Sequence, residues 1–151
     1  MRVLFARHAE THANIEGRFQ GQMAAPAFGL SQRGLEQAIA LKNRFSTERL
    51  VPTHFYTSPL QRCKETASVL TGLWGKEATY WDDLMECRTG IVTGLTLEEA
   101  KQRHPEVDFG LGTARQLVGV PGAESSSECK ERGRRVIRFV LQDHSNDDVV
   151  V

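Results

Sequence analysis

The sequence predicts an α/β protein, a three-layer sandwich in which helices flank a mainly parallel central sheet. Three observations carry this prediction. Short apolar runs alternate with longer segments whose apolar residues recur at helical spacing, a pattern typical of a parallel sheet covered on both faces. The chain has 151 residues, a length that suits a single domain over residues 1–151. Its hydrophobic fraction of 40% is that of a globular protein rather than a disordered one.

The first half of the chain is predicted to contain two strands and two helices. Residues 3–6 are a short apolar run that indicates a buried strand. Ser31 is the expected N-cap of the first helix. The apolar positions of that helix are Leu35, Ala38, Ile39 and Phe45. Residues 53–57 form the second predicted strand. Ser58 and Pro59 then predict the start of a second helix, as its N-cap and a first-turn residue.

The second half continues the alternation. Residues 78–84 are the third predicted strand, and Thr96 opens a short helix through a capping box. Residues 106–120 have no clear period and are predicted to form a loop or lid. A long helix is expected over 125–142, and residues 149–151 begin a fourth strand. The sequence stops after three residues of this strand. The site of an α/β fold is built at the carboxyl ends of its strands, and a natural domain seldom ends inside one. We therefore expect the C-terminal part of the sheet to be missing.

Composition narrows the classes of partner. The chain holds 19 Lys and Arg residues against 19 Asp and Glu residues, so its formal net charge is zero. This balance argues against a nucleic-acid partner, which usually requires a basic surface. No apolar run approaches roughly 18 residues, and the N-terminus lacks a signal core, so no membrane span and a cytoplasmic location are predicted. Cys63, Cys87 and Cys129 are odd in number and lack a C-x-x-C motif. We therefore expect reduced thiols, without a disulfide or a cysteine zinc site.

Basic residues follow the first two predicted strands, at the ends where open α/β sheets bind ligands. Arg7 and His8 come after the first strand, and Arg62 lies early in the helix after the second. An arginine at the positive end of a helix dipole indicates an anionic ligand nearby. Guanidinium groups bind phosphate bidentately, and a neutral imidazole can attack phosphorus. Glu86, after the third predicted strand, is placed to protonate a leaving alkoxide. These residues predict a phosphate monoester as the substrate.

In this order, the residues resemble the histidine phosphatase superfamily, in its phosphoglycerate-mutase-like branch. The resemblance covers nearly the whole chain. Four segments carry it, and they contain the runs RHAET (7–11), GRFQG (17–21), SPLQR (58–62), and LME (84–86) followed by PGAES (121–125). Any one of these runs is a weak signal, whereas all four in register are a specific one.

The resemblance implies a role for each candidate residue. His8 is the nucleophile that becomes phosphohistidine. Arg7 and Arg62 correspond to the arginines that clamp the phosphate, and Asn14 to a further phosphate contact. Glu86 corresponds to the general acid and base. The resemblance implies phosphomonoester hydrolysis of a phosphorylated small-molecule substrate, with no metal and no other cofactor.

Two departures from the family pattern affect these expectations. Ala9 stands where the family usually has glycine, which strains the backbone only if that position needs a positive φ. The family's second active-site histidine, which follows its last core strand, does not occur in the sequence. We therefore expect a C-terminally incomplete form of a longer phosphatase. Segment 87–124 is expected to form a lid over the substrate, and its short length resembles the phosphatase type more than the mutase type.

Three alternative functions stay open. Phosphoryl transfer of the phosphoglycerate-mutase type would use the same residues. A non-catalytic phosphate-binding or regulatory module would be consistent with the absent second histidine. His8, Glu10 and His12 form an H-x-E-x-H string, which is a weak candidate for a metal site because the other ligands of a zinc enzyme have no counterpart. The remaining histidines are expected to have ordinary structural roles: His54, His104 and His144.

Overall fold

Four parallel strands form the central sheet in the part of the chain that this computed structural model describes, residues 2–25, 28–109 and 119–151. They are β1 (Arg2–Leu4), β2 (His54–Thr57), β3 (Thr79–Tyr80) and β4 (Asp148–Val150), in the spatial order β1-β4-β2-β3. All three pairings are parallel. The predicted parallel sheet is therefore confirmed, and all its strands end at the same edge.

Helices cover both faces of this sheet, as predicted. The helices of the described residues are α1 (His12–Ile15), α2 (Gln32–Thr47), α3 (Gln61–Trp74), α4 (Leu97–Arg103) and α5 (Ser126–Asp143), of which α2, α3 and α5 cover the sheet. On one face, side chains of α2 and α3 pack against Phe55 and Val150. On the other face, α5 packs against Val149. Because successive strand residues point to opposite faces, Val149 and Val150 contribute to two separate cores.

Three helices begin where the sequence predicts. Ser31, Thr96 and Ser125 are the N-caps of α2, α4 and α5, and each hydroxyl accepts a hydrogen bond from the backbone N–H three residues further on. In α4 and α5, a glutamate three residues after the cap completes a capping box. These caps satisfy backbone donors that the helix itself leaves unpaired.

Two other predicted boundaries are wrong. α3 begins at Gln61, with Leu60 as an N-cap that offers no side-chain hydrogen bond. Ser58 instead accepts a hydrogen bond at its Oγ from the backbone N–H of Leu60, at 3.3 Å, within the turn that precedes the helix. The third strand ends at Tyr80, and the chain continues as a 3₁₀ helix over Asp82–Leu84. Aspartate is a poor strand former, and two adjacent aspartates explain this early end.

A separate hydrophobic cluster lies beside the sheet, within and around the predicted lid. Its buried members are Phe19, Val92, Leu95, Ala100 and Val120. The Phe19 backbone N–H donates to the Leu95 carbonyl at 2.9 Å, so the loop after α1 is attached to this cluster. Of the predicted lid at 87–124, residues 110–118 lie outside the described residues.

Cys87 and Cys129 form a disulfide, with their Cα atoms 6.1 Å apart. The prediction of reduced thiols is therefore wrong for this pair, whereas Cys63 is free. An odd number of cysteines does not exclude one bridge, and a separation of 42 residues conceals the pairing in the sequence. Folding brings the two together because Arg132 of α5 donates to the backbone carbonyls of Asp83 and Met85. No helix among the described residues is long and apolar enough to cross a membrane.

Candidate active site

Arg7, His8 and Arg62 lie at the carboxyl edge of the sheet. The chain leaves β1 and reaches Arg7 and His8, and it leaves β2 and reaches Arg62 in the first turn of α3. Because the strands are parallel, both exits lie at the same edge. A cavity of about 450 Å³ at this edge is lined by Arg7, His8 and Ser58. Arg62 does not line this cavity, but its charge and that of Arg7 both act on His8. The three basic residues that the sequence singles out therefore lie near one another.

The backbone holds the His8 ring in one tautomer. Nδ1 of His8 lies 2.8 Å from the carbonyl oxygen of Ala9. Since a carbonyl oxygen only accepts, Nδ1 carries the proton and Nε2 keeps its lone pair. Burial lowers the pKa of His8 below its ordinary value of 6.5, and the charges of Arg62 and Arg7 lower it further, although the bond to Ala9 opposes them. The ring is therefore neutral at pH 7, with Nε2 as its nucleophilic atom.

Thr66 connects the segment after His8 to the arginine on α3. Its Oγ1 accepts a hydrogen bond from the Ala9 backbone N–H at 3.1 Å and donates one to the Arg62 carbonyl at 2.8 Å. The sequence-based prediction gives Thr66 no role, because 57 residues separate it from Ala9. Thr66 is the sixth residue of α3, and a hydroxyl at such a helix position is too common a feature to be a signal.

The guanidinium of Arg62 is buried and only partly paired. The side chain is 1% exposed. Nη2 donates to the Gly21 carbonyl at 2.8 Å and to Oε2 of Glu86 at 2.9 Å. Nε and Nη1 have no hydrogen-bond partner among the described residues. Buried charged donors without partners are costly, and in native proteins such groups commonly serve a ligand. An oxyanion such as phosphate is a suitable acceptor for a buried donor of this kind.

Glu86 and Asn14 line a second cavity of about 360 Å³, to which Arg7 also contributes. The side chain of Glu86 is 46% exposed, and Arg62 holds one of its carboxylate oxygens. Asn14 accepts the Thr11 backbone N–H at its Oδ1, at 3.1 Å, within the capping box of α1. The amide oxygen of Asn14 is therefore engaged in the cap, and its amide N–H groups are the ones that can donate to an anion.

Two small residues shape the backbone around His8. Ala9 does not have a positive φ, since Arg49 is the one non-glycine residue of the described part of the chain that does. Alanine at position 9 therefore causes no backbone strain. Gly34 lies at the start of α2, where a Cβ atom would collide with the carbonyl oxygen of Glu10. Glycine at this position lets α2 approach the loop that follows His8.

The H-x-E-x-H string does not converge on one point. Nδ1 of His8 is bonded to the backbone, and Oε1 of Glu10 accepts a hydrogen bond from Ser31 at 2.8 Å. His12 begins α1 and lines a different cavity, which Ser31 shares. Three ligands on alternate residues need an extended segment, and the start of α1 interrupts it. This geometry disfavours the metal alternative.

Comparison with known proteins identifies relatives along the whole chain. The family model of the histidine phosphatase superfamily (branch 1) matches residues 3–151. The chain is 29% identical over 151 residues to the metal-independent phosphoserine phosphatase of Arabidopsis thaliana, covering 99% of the chain and 62% of that protein. It is 32% identical over 152 residues to phosphoserine phosphatase 1 of Hydrogenobacter thermophilus, covering 100% of the chain and 69% of that protein. The chain thus spans less than two thirds of the Arabidopsis relative.

Solved structures share the same fold. YhfR of Bacillus stearothermophilus is similar with a TM-score of 0.83 and 26% identity, covering 99% of this chain and 70% of that one. The alpha-ribazole phosphatase of Shigella flexneri has a TM-score of 0.84 at 22% identity, covering 99% of this chain and 71% of that one. The second similarity shows the fold alone.

Proposed function

The chain belongs to the histidine phosphatase superfamily, branch 1, and from this membership we propose that it hydrolyses phosphate monoesters through a phosphohistidine intermediate. The observation that carries the proposal is the buried guanidinium of Arg62, whose Nε and Nη1 lack partners among the described residues, beside a neutral His8. A dianionic phosphoryl group would accept from one of these free donors and present phosphorus to the imidazole.

The first step transfers the phosphoryl group to His8. The lone pair of Nε2 attacks phosphorus, the Nε2–P bond forms, and the P–O bond to the ester oxygen breaks. Glu86 donates its proton to the leaving alkoxide and becomes a carboxylate. The bond from Nδ1 to the Ala9 carbonyl keeps the ring oriented as it gains positive charge.

The second step returns the enzyme to its starting state. Water attacks phosphorus, the new P–O bond forms and the Nε2–P bond breaks. The carboxylate of Glu86 accepts the proton from water, and inorganic phosphate leaves. Arg7 and Arg62 stabilise the phosphoryl oxygens in both transition states, and Asn14 adds an amide donor. Because these groups supply the positive charge, the proposed mechanism requires no metal ion.

Cationic side chains near the phosphoryl site support a small substrate with a second anionic group. Arg88 and Lys130 line the same cavity as Arg7 and Glu86. Within the described part of the chain, the ion pairs of Arg88 are long, at 4.0 Å to Glu124 and 3.6 Å to an exposed Glu128. Two relatives are named as phosphoserine phosphatases, so phosphoserine belongs among the first substrates to test. The zero net charge supports a small molecule over a nucleic acid. We propose a cytoplasmic location, in which the Cys87–Cys129 disulfide would be an exception to the usual reduced state of cytosolic thiols.

Rapid-quench labelling tests the proposal. The protein is mixed with an aryl phosphate that carries ³²P, quenched in base, digested and mapped. We expect acid-labile label on His8 and release of inorganic phosphate. The His8→Asn variant should carry no label, and the matched His12→Asn variant should behave as the parent protein.

Each other outcome overturns the proposal in a different way. Label on serine or aspartate excludes the phosphohistidine mechanism. Phosphate binding without label or turnover identifies a non-catalytic module. Passage of the label to a phosphoglycerate in preference to water identifies phosphoryl transfer of the mutase type.

A further inference from the structure

Two histidines and an aspartate meet at the amino edge of the sheet, opposite the candidate active site. His54 is the first residue of β2, His144 is the C-cap of α5, and Asp147 directly precedes β4. Because all the strands run parallel, this edge lies at the other end of the strands from His8. These residues therefore have no part in the proposed phosphatase reaction.

The three potential ligand atoms are already spaced as a metal site requires. Nε2 of His54 and Nδ1 of His144 lie 3.0 and 3.2 Å from the same oxygen of Asp147, Oδ2. All three atoms lie within 4.8 Å of one another. In a tetrahedral zinc site with bonds of about 2.0–2.1 Å, ligand atoms are separated by roughly 3.3 Å. An ion between these atoms would require only small side-chain adjustments.

The surroundings of His144 resemble those of a supported metal ligand. Its Nε2 lies 2.8 Å from Oη of Tyr56, so the ring nitrogen that faces away from Asp147 has its own partner. The residue is 7% exposed, and Tyr56 and Phe139 contact its ring and fix its orientation. Metal-binding histidines typically have such an outer partner, which selects the tautomer and orients the ring.

The other two residues leave room for a further ligand. The side chains of His54 and Asp147 are 37% and 32% exposed, so water can reach the cluster. Two imidazoles and one carboxylate with an open position form a donor set suited to Zn²⁺. The second cluster of potential ligands, Cys87, Glu124 and Cys129, is less suited, because its sulfurs form a disulfide and Arg132 already pairs with Glu124 at 2.6 Å.

We propose that His54, His144 and Asp147 form a structural binding site for a divalent transition metal ion, with Zn²⁺ as the best fit. Without the ion, both rings donate a hydrogen bond to Asp147. With the ion, each neutral ring moves its proton to its other nitrogen, and His144 donates from Nε2 to Tyr56 Oη. The ion joins the start of β2 to the turn between α5 and β4. It stabilises the sheet from the edge that the substrate does not use.

Metal titration of the full chain tests this proposal. Protein stripped with EDTA and dialysed is titrated with Zn²⁺ by calorimetry, and with Co²⁺ by visible absorption. We expect one tight site per chain, a tetrahedral Co²⁺ spectrum and a rise in Tm on addition of Zn²⁺. Tyr56→Phe, which removes only the outer partner, should weaken Zn²⁺ binding by about 10- to 100-fold. His54→Gln should weaken it more than that.

Matched variants separate this site from other metal-binding side chains. His104→Gln changes another histidine beside a carboxylate, since His104 Nδ1 lies 3.4 Å from Glu106, and it should leave the tight site intact. Asp147→Asn should abolish the Tm rise. His144 is buried, so the His144→Gln variant is at risk of not folding. The test therefore relies on His54→Gln, because His54 is half-exposed.

Two results would overturn the proposal: the same tight Zn²⁺ binding in parent, His54→Gln and Asp147→Asn proteins, or no tight binding in the parent. Phosphatase activity is measured alongside and should not depend on Zn²⁺, so the outcome is independent of the proposed function.

Discussion

One nitrogen of Arg62 donates to Glu86 at 2.9 Å, while two other nitrogens of the same guanidinium have no partner among the described residues. We therefore propose two separate tasks for Arg62. Nη2 would position the carboxyl group that is proposed to transfer protons, and a donor at Nε or Nη1 would bind the phosphoryl group. A single substitution at this residue should affect both ligand binding and proton transfer.

Arg62→Ala should lower kcat/KM for an aryl phosphate by roughly 30- to 1,000-fold, because loss of a charged donor from a buried site costs about 2–4 kcal/mol in the transition state. Arg62→Lys should recover only part of this loss, since an ammonium group cannot bond to phosphate and Glu86 in the same fork geometry. Arg44→Ala, at an exposed arginine paired with Glu48, is the control. An effect of less than threefold in Arg62→Ala would place this arginine outside the site.

The decrease of kcat/KM at low pH should reflect protonation of His8. Its neutral form is the nucleophile, and its pKa lies below 6.5 because of burial first and the two arginines second. Activity should therefore fall as the pH drops through this lowered pKa. Arg7→Gln removes one of the depressing charges and should move the decrease to higher pH. A decrease that stays at the same pH in this variant would assign it to another group.

Glu86→Gln should discriminate between leaving groups. An alkyl phosphate such as phosphoserine needs a proton on its departing oxygen, whereas an activated aryl phosphate does not. We expect a much larger loss of kcat for the alkyl ester than for the aryl ester. Glu131→Gln, at an exposed glutamate of α5, should affect neither substrate. Equal losses on both substrates would restrict Glu86 to a binding or structural role.

Hydrolysis should survive removal of metal ions. In the proposed mechanism, Arg7, Arg62 and the start of α3 provide the charge that metals supply in other phosphatases. In the same EDTA-treated sample, Tm should fall if the site at His54 had been loaded. Complete loss of activity that Zn²⁺ or Mg²⁺ restores would contradict the mechanism.

Two helical glycines offer a matched pair of substitutions. Gly34→Ala places a Cβ against the Glu10 carbonyl, which should destabilise the protein by about 1–3 kcal/mol and lower activity by displacing the loop after His8. Gly133→Ala, in α5, meets nothing within 4 Å and should stabilise by about 0.5–1 kcal/mol with unchanged activity. Urea denaturation and an aryl phosphate assay measure both effects. Equal stability of the two variants would contradict the close packing at Gly34.

The elements that the sequence predicts well are those specified locally. Ser31, Thr96 and Ser125 cap their helices through residues three positions away, and apolar spacing predicts the faces that follow. The boundary of α3 is less predictable, because Ser58 can bond within a turn as readily as it caps a helix.

Contacts between distant segments could not be predicted. The bond from Thr66 to Ala9, the bridge between Cys87 and Cys129, and the meeting of His54 with His144 all depend on how helices and strands pack. None of these pairs has a local pattern. The grouping of Arg7 and His8 with Arg62 was predictable only because parallel strands align their carboxyl ends.

The hydroxyl of Thr66 also has a mechanical consequence. One oxygen atom bonds both to the segment after His8 and to α3, which carries Arg62. We therefore expect a displacement of α3 to be transmitted to the loop that holds His8. The separation between imidazole and guanidinium then varies less than the position of either group, and the alignment for in-line attack tolerates motion of the surrounding fold.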